Sequence, residues 1–418
     1  MLTKIKNKAY KLLRFSEKYT KTDMIYLTKG SFWIGVSKIF TSTAAFILAI
    51  AFANFLSQET YGAYKYIISI AALLSIASLR GMGSAAVVSI SRGFEGAFWQ
   101  TYKARIKWSL FGSLGSLGIG AYYFINQNIE LGLSFIIISF FIPFFYSSNL
   151  YLSFFQAKRL FKYASIYQAA NQVISAMIMI TTVYLTDKLF IIILAYFIPL
   201  SILRSLLILI IFKKFKRNNK TEKDTVSYGK NLSLMSVLGQ VAGRLETILL
   251  WHFMGAAEVA IFAFALNPVQ QIRSVFKSVN TLLLPKISKR KVEELKIGGP
   301  KKSWRIILVL LPIVIIYIIG APYLYKYVFP QYESSVIFSQ ILALTIFSAS
   351  LAPISQIFKA HKKTKELYFL NTSKSMLKLI LLAVLIPFFG IWGLVSAKLS
   401  LAVFDALTTL IFFKKLKD

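Results

Sequence analysis

Nine basic residues lie inside otherwise apolar stretches of this chain: Lys38, Lys65, Arg204, Arg244, Arg273, Lys277, Lys374, Lys378 and Lys398. Only two acids, Glu246 and Asp405, share such surroundings. A cation at the centre of a membrane helix costs about 2.5–3.5 kcal/mol on insertion scales, so it normally faces a protein interior or a wet cavity. Spacing sharpens the point. Ser233, Ser236, Gln240, Arg244 and Thr247 recur every three or four residues, as do Asn267, Gln270, Ser274, Lys277 and Thr281, with Arg273 adjoining. Lys38, Thr41 and Ser42 form a shorter third set. Residues at these intervals share one helix face, and in lipid a polar face must meet protein or water. An interhelical hydrogen-bonded seam would satisfy that demand, but a seam does not need unpaired cations. The cationic excess instead predicts a cavity whose occupant is an anion. The candidate binding residues are Lys38, Gln240, Arg244, Gln270, Arg273 and Lys277, with Glu246 and Asp405 as candidates for ion coupling. Arg244, about thirteen residues into its apolar stretch, would stand roughly 20 Å along a helix, near the midplane. Others have simpler explanations: Lys65, Arg204, Arg273 and Lys277 are close enough to a membrane surface to snorkel, and Lys374 and Lys378 could open a helix.

Other chemistries lack their residues. The chain has no cysteine, and His252 and His361 belong to no metal-ligand spacing, so no metal is expected. No D-x-D and no phosphate-binding G-x-x-x-x-G-K-[ST] occurs. Glu293 and Glu294 lie in a basic loop and read as a solvated face. The glycines of 112–120 fall inside an apolar stretch, where they favour close helix packing. Enzymes that build polymers outside the cell usually carry a large outer loop; the longest here, 321–333, is about thirteen residues. A transporter is therefore expected rather than an enzyme, without a cofactor.

The elements that must position these residues follow from hydropathy. Of 418 residues, 56% are hydrophobic, and 49 Lys+Arg face 16 Asp+Glu. Twelve apolar stretches of bilayer-spanning length, about twenty residues each, run near 31–56, 62–79, 107–125, 131–155, 163–185, 189–212, 231–254, 257–284, 304–320, 334–358, 367–389 and 391–413. Their connections alternate in charge. One set holds 38 of the 49 basic residues, whereas the other holds only Lys188 and Lys326 together with several acids. The positive-inside rule then places both termini in the cytoplasm of a multi-pass protein. The basic excess marks a side of the bilayer and does not imply nucleic acid. Residues 1–30 form a basic leader that sets topology or lies on an anionic leaflet.

The chain divides at 213–230, its most polar stretch, and six apolar stretches lie on each side. This predicts an N-lobe over 31–212, a cytoplasmic linker over 213–230, a C-lobe over 231–413 and a tail over 414–418. The halves echo each other. Phe155-Gln-Ala-Lys-Arg-Leu-Phe-Lys162 leaves the fourth stretch, and Phe358-Lys-Ala-His-Lys-Lys-Thr-Lys365 leaves the tenth. Glu59-Thr-Tyr-Gly-Ala-Tyr64 opens the second, and Glu258-Val-Ala-Ile-Phe262 the eighth. An even number of spans per half gives parallel repeats, whose interface is where substrate sites lie.

These segments also resemble a known family. Leu56-Ser-Gln-Glu-Thr-Tyr-Gly-Ala-Tyr64 is similar to the L-x-x-E-x-Y-G-x-Y junction of Wzx-type polysaccharide and O-antigen flippases, within the multidrug/oligosaccharidyl-lipid/polysaccharide (MOP) exporter superfamily. Arg80-Gly-Met-Gly-Ser-Ala-Ala86, Gln156-Ala-Lys-Arg-Leu-Phe-Lys162, Gly255-Ala-Ala-Glu-Val-Ala-Ile-Phe262 and Leu284-Pro-Lys-Ile-Ser288 extend the likeness over nearly the whole chain. One departure is Arg244-Leu-Glu246 in the seventh span, where members of the family commonly carry an Asp. The resemblance implies an all-α integral membrane protein with about twelve transmembrane helices, arranged as two six-helix lobes around a central cavity and working by alternating access. The substrate it implies is an undecaprenyl-pyrophosphate-linked oligosaccharide, moved across the bacterial inner membrane. Coupling, where present, would be to an ion gradient or the membrane potential; polymerase and chain-length machinery would be the protein partners. A small-molecule or drug exporter of the same superfamily is the alternative, although it would more often line its cavity with acids.

Overall fold

A computed structural model describes residues 24–215, 218–281, 292–360 and 363–416, so Lys277 lies inside a described helix while its side chain lies outside. Every regular element among them is helical. The first half contains α1 (Met24–Phe55), α2 (Gln58–Leu74), α3 (Gly81–Ser91), α4 (Ala97–Ile125), α5 (Ile129–Ser147), α6 (Tyr151–Ala157), α7 (Phe161–Leu185) and α8 (Leu189–Lys214). The second contains α9 (Thr225–Met254), α10 (Ala256–Thr281), α11 (Val292–Val328), α12 (Val336–Ala343), α13 (Ala352–Ala360) and α14 (Thr364–Lys414).

Twelve passes arise because several helices are broken or folded back. A 3-10 turn at Ser75–Ser78 joins α2 to α3, another at Ser148–Leu150 joins α5 to α6, and a third at Leu344–Leu351 joins α12 to α13. In α14 the chain leaves helical geometry at Gly390. Its two arms then run antiparallel: Phe369 lies against Phe412 and Lys374 pairs with Asp405. Eight segments among the described residues are by themselves long and apolar enough to cross a membrane, α14 counting as one. The passes that fall short are α4, α9 and α10. Glycines and serines dilute α4, and α9 and α10 carry the polar faces noted above.

The passes form two six-helix lobes. Within the first, α1 packs on α7, α4 on α5, and α5 on α8; within the second, α9 packs on α14 and α10 on α12. The fourth and tenth passes, each broken by a 3-10 segment shortly before the Phe155 and Phe358 motifs, make the repeat visible in three dimensions. The second and eighth passes break it, since α10 runs unbroken through Pro268.

Across the lobes, α2 packs on α10 at one end and α3 on α9 at the other. The first contact, at the end without basic connections, is aromatic. Ser57 starts α2 by accepting a hydrogen bond from the Thr60 amide at 3.1 Å, a cap that leads Tyr61 and Tyr64 into the interface. Tyr61 then meets Phe264, which stacks on Tyr332 at 3.8 Å, and Tyr66 stacks on Trp251 at 4.4 Å. Between these rings a Cβ on Gly62 would stand 1.8 Å from the Ala256 carbonyl oxygen, so the backbones meet only because this residue has none. At the basic end Gly81 donates its N–H to Ser233 at 2.9 Å, and a Cβ there would meet the α9 backbone at 2.5 Å. Gly62 and Gly81, from two of the family-like motifs, are thus points of contact between lobes.

One sequence reading changes. Residues 80–107 read as a basic connection, but α3 continues the second pass to Ser91 and α4 begins at Ala97. Arg80 therefore stands at a bend inside the second pass and Arg105 inside the third. A single arginine within the apolar run 67–91 looks like a span end on a twenty-residue template; the 3-10 turn makes it a corner.

Candidate functional site

Arg80 and Arg244 face each other between the lobes. With Ala72, Gly239, Gln240 and Gly243 they line a cavity of about 330 Å³. Local structure sets each one. Leu79 takes a left-handed backbone, φ 52°, which ends the 3-10 turn, and Arg80 donates to Ser75 Oγ at 3.0 Å. Arg244 projects from the polar face of α9. The half of that face nearer the basic end is a seam: Ser233 takes the Gly81 amide, and Ser236 and Gln240 bond along the helix at 2.8 Å. The other half opens into the cavity. Both sequence-level alternatives for this face are therefore realised, on successive turns.

Two more arginines stand behind the cavity. Pass four breaks at Ser148, which leaves carbonyls at the end of α5 for outside donors. Arg105 donates to the Tyr146 carbonyl at 2.6 Å, and Arg204 to the Phe145 carbonyl at 3.0 Å with its guanidinium 4.5 Å from the Phe145 ring. Arg204 is tied to the neighbouring pass and does not reach for headgroups. Lys65, also half-buried, lies near the Tyr61 ring and within Coulombic reach of Arg244. Arg244 is likewise within reach of Arg80, and Arg80 of Arg105. No carboxylate pairs with any of these five cations among the described residues. A hydroxyl on Arg80, carbonyls on Arg105 and Arg204, and the Tyr61 ring near Lys65 hold these four in place without neutralising them.

A second pocket of about 200 Å³ lies inside the C-lobe. Glu246, two residues beyond Arg244 and hence on another face of α9, is clamped between Lys378 and Lys398, the latter at 2.7 Å. Lys374 pairs with Asp405 at 2.5 Å, and Arg273 donates to Ser348 Oγ at 3.1 Å. A buried carboxylate between two ammonium groups has its charge met where it stands.

The sequence candidates therefore separate. Gln240 and Arg244 line the central cavity, whereas Arg273, Glu246 and Asp405 line the C-lobe pocket. Gln270 and Lys38 are exposed and line neither. Sequence reasoning missed Arg80 and Arg105; the signal available for Arg80 was the single charge in 67–91, where an apolar run continues on both sides. Groups of three or more potential metal ligands do not occur among the described residues.

The model for the family described as polysaccharide biosynthesis protein matches residues 27–291. The chain belongs to that family. A search of curated proteins finds no match. Among solved structures, the inward closed conformation of the lipid II flippase MurJ superposes with a TM-score of 0.69 at 16% identity, covering 91% of this chain and 87% of that one. An outward-facing MATE family multidrug transporter of the MOP superfamily gives 0.56 at 14% identity, over 93% and 96% of the two chains. A MOP superfamily transporter from Pyrococcus furiosus, described as having a binding pocket of reverse polarity, gives 0.55 at 15%, over 93% and 96%. At these identities the likeness fixes the fold: this member of the polysaccharide biosynthesis family is a multi-pass membrane protein with the two-lobed architecture of MOP flippases and exporters.

Proposed function

We propose that the chain is a flippase that moves undecaprenyl-pyrophosphate-linked oligosaccharide units from the inner to the outer leaflet of the bacterial plasma membrane, for O-antigen, capsule or related surface polysaccharide. The observation that carries this reading is the central cavity, where Arg80 and Arg244 meet with no acid among the lining residues. A pyrophosphate head suits such a site, since guanidinium forks bind phosphate oxygens bidentately. The sugar cannot cross hydrocarbon unaided, and the isoprenoid tail can stay in lipid while the head passes between the lobes. Both termini and the basic connections are cytoplasmic in this scheme. The head is captured from that side, and rocking about the α2–α10 and α3–α9 contacts exposes it on the other. The membrane potential favours the outward step by about 2.3 kcal/mol per charge per 100 mV, because an anion leaves a negative interior. No metal or organic cofactor enters the scheme. A cationic drug would find no carboxylate in the central cavity to hold it.

The test is complementation of a deletion strain. Arg244→Ala should abolish surface glycan at normal protein abundance, while the lipid-linked intermediate accumulates. Arg244→Lys should restore part of the export, because the charge returns without the fork. Normal export by Arg244→Ala would end this assignment.

A further inference from the structure

The C-lobe pocket holds more positive charge than its acids balance. Arg273, Lys374, Lys378 and Lys398 stand against Glu246 and Asp405, a surplus of two in an enclosure of about 200 Å³. The floor is closed, because Lys378 and Lys398 both turn to Glu246 with side chains 19% exposed. The rim is open. Lys374, its side chain 42% exposed, meets one oxygen of Asp405. Arg273 spends one nitrogen on Ser348, and the rest of its five N–H donors have no partner among the described residues. The hydroxyls cannot serve as donors to a ligand: Thr345 gives its proton to the Leu342 carbonyl and Ser348 gives its proton to the Thr345 carbonyl. What the rim offers is positive charge and guanidinium N–H groups. With Asp405 set against Lys374, the rim keeps the one positive charge of Arg273, which is exposed.

We propose that this pocket is a second anion site, separate from the Arg80–Arg244 cavity, which takes one compact oxyanion of carboxylate or phosphate type between Arg273 and Lys374. Its size admits a single sugar ring bearing such a group, or a free ion with a few waters at about 30 Å³ each. The two sites lie on opposite faces of α9, one reached from Arg244 and the other behind Glu246. The proposal rests on the flippase reading only in naming an acidic sugar of the glycan as one source of the oxyanion; a free inorganic anion is the other.

Thermal unfolding of the purified full-length protein in detergent separates these cases, with glucuronate, inorganic phosphate, inorganic pyrophosphate and, as a neutral control, glucose. Millimolar glucuronate should raise the melting temperature by a few degrees, and glucose should not. The shift should shrink severalfold as salt is added, because ionic contacts are screened. Arg273→Gln combined with Lys374→Gln should lose it, and Arg273→Lys should keep part, which guards against a simple folding defect. A shift with phosphate equal to that with glucuronate assigns the site to a free oxyanion, and a shift with glucuronate alone assigns it to the sugar. Arg80→Gln with Arg244→Gln should lose the pyrophosphate response and keep the glucuronate response. A wild type that answers glucuronate but not pyrophosphate leaves the C-lobe site standing while the flippase reading falls. Absence of any shift with glucuronate and phosphate, or one that survives the Arg273/Lys374 pair of substitutions, overturns the second site.

Discussion

The central cavity and the C-lobe pocket are both lined by cations and differ in what answers the charge. In the pocket, Glu246 on α9 and Asp405 on the second arm of α14 meet three of four cations. In the cavity and behind it, Arg105 and Arg204 are held by backbone carbonyls of Phe145 and Tyr146, and Arg80 by a serine hydroxyl. A carbonyl fixes the direction of a guanidinium and leaves its charge in place. A carboxylate fixes the direction too, but cancels the field that would attract a ligand. The pocket is therefore mostly scaffold with an open rim, and the cavity keeps its positive charge unanswered by any lining acid. The cations that no acid meets stand in and behind the cavity and, as Arg273, at the pocket's rim, whereas the two lysines on Glu246 are architecture.

The strongest way to break this contrast is to remove the acid where it is structural. Glu246→Gln strands Lys378 and Lys398 against each other inside the lobe, at a cost of about 3–5 kcal/mol, the usual penalty for splitting a buried pair. Folded abundance should drop sharply. Glu246→Leu with Lys378→Met and Lys398→Met should recover most of it, because the whole triad is then replaced by apolar volume. Quantifying monodisperse protein in detergent extracts checks both. Full abundance of the single variant would mean that the clamp contributes little.

The converse experiment puts an acid where none stands. Ala72 lines the central cavity from α2, and Ala72→Glu would give Arg80 and Arg244 a resident carboxylate. The lobes should still fold, yet export in the complementation assay should fall about tenfold or more, since a charge-assisted hydrogen bond of about 1.5–3 kcal/mol must be given up before a phosphate enters. Ala72→Gln controls for size and should export better than Ala72→Glu. Equal export by the two would show that the cavity's charge is not what it selects on.

Much of this arrangement is legible in the chain. The alternation of basic connections marks all twelve passes, and the three-four spacing on α9 marks the face that carries Arg244. Two features escape for physical reasons. A template of twenty apolar residues ends a span at Arg80, because it cannot anticipate a 3-10 corner that lets helix resume at Gly81. The division of the inner charges into two sites depends on the fold-back at Gly390, which brings Lys378 and Lys398, twenty positions apart in sequence, onto one carboxylate. Periodicity reports which face of one helix is polar. It does not report which neighbour that face will meet.

The smallest expected effect lies at the basic end, outside the spans, where residues 218–225 are stitched to the end of α3 and the turn that follows. Gly96 donates to the Lys220 carbonyl at 2.9 Å, Asn218 Nδ2 donates to the Gly93 carbonyl at 2.9 Å, and Ser89 donates to Glu222 at 2.5 Å. Arg92 pairs with the other Glu222 oxygen at 3.1 Å. The Ser89 hydroxyl and then Arg92 hold the Glu222 carboxyl below its ordinary value of 4.5. A depressed folded value means that the clasp contributes fully at pH above the unfolded value, and the contribution is lost as pH falls through the lower, folded one. This clasp joins the linker to the first lobe by surface contacts that salt screens, so its loss should loosen the α3–α9 contact without unfolding either lobe. Hydrogen exchange of the 218–225 amides, compared at each pH between the wild type and Glu222→Gln, checks the sign. At neutral pH the wild type should be severalfold better protected, and the difference should close below pH 4.5. Equal protection of the two at neutral pH would assign the stitching to the backbone bonds alone and leave the carboxylate no part in holding the lobes together at this end.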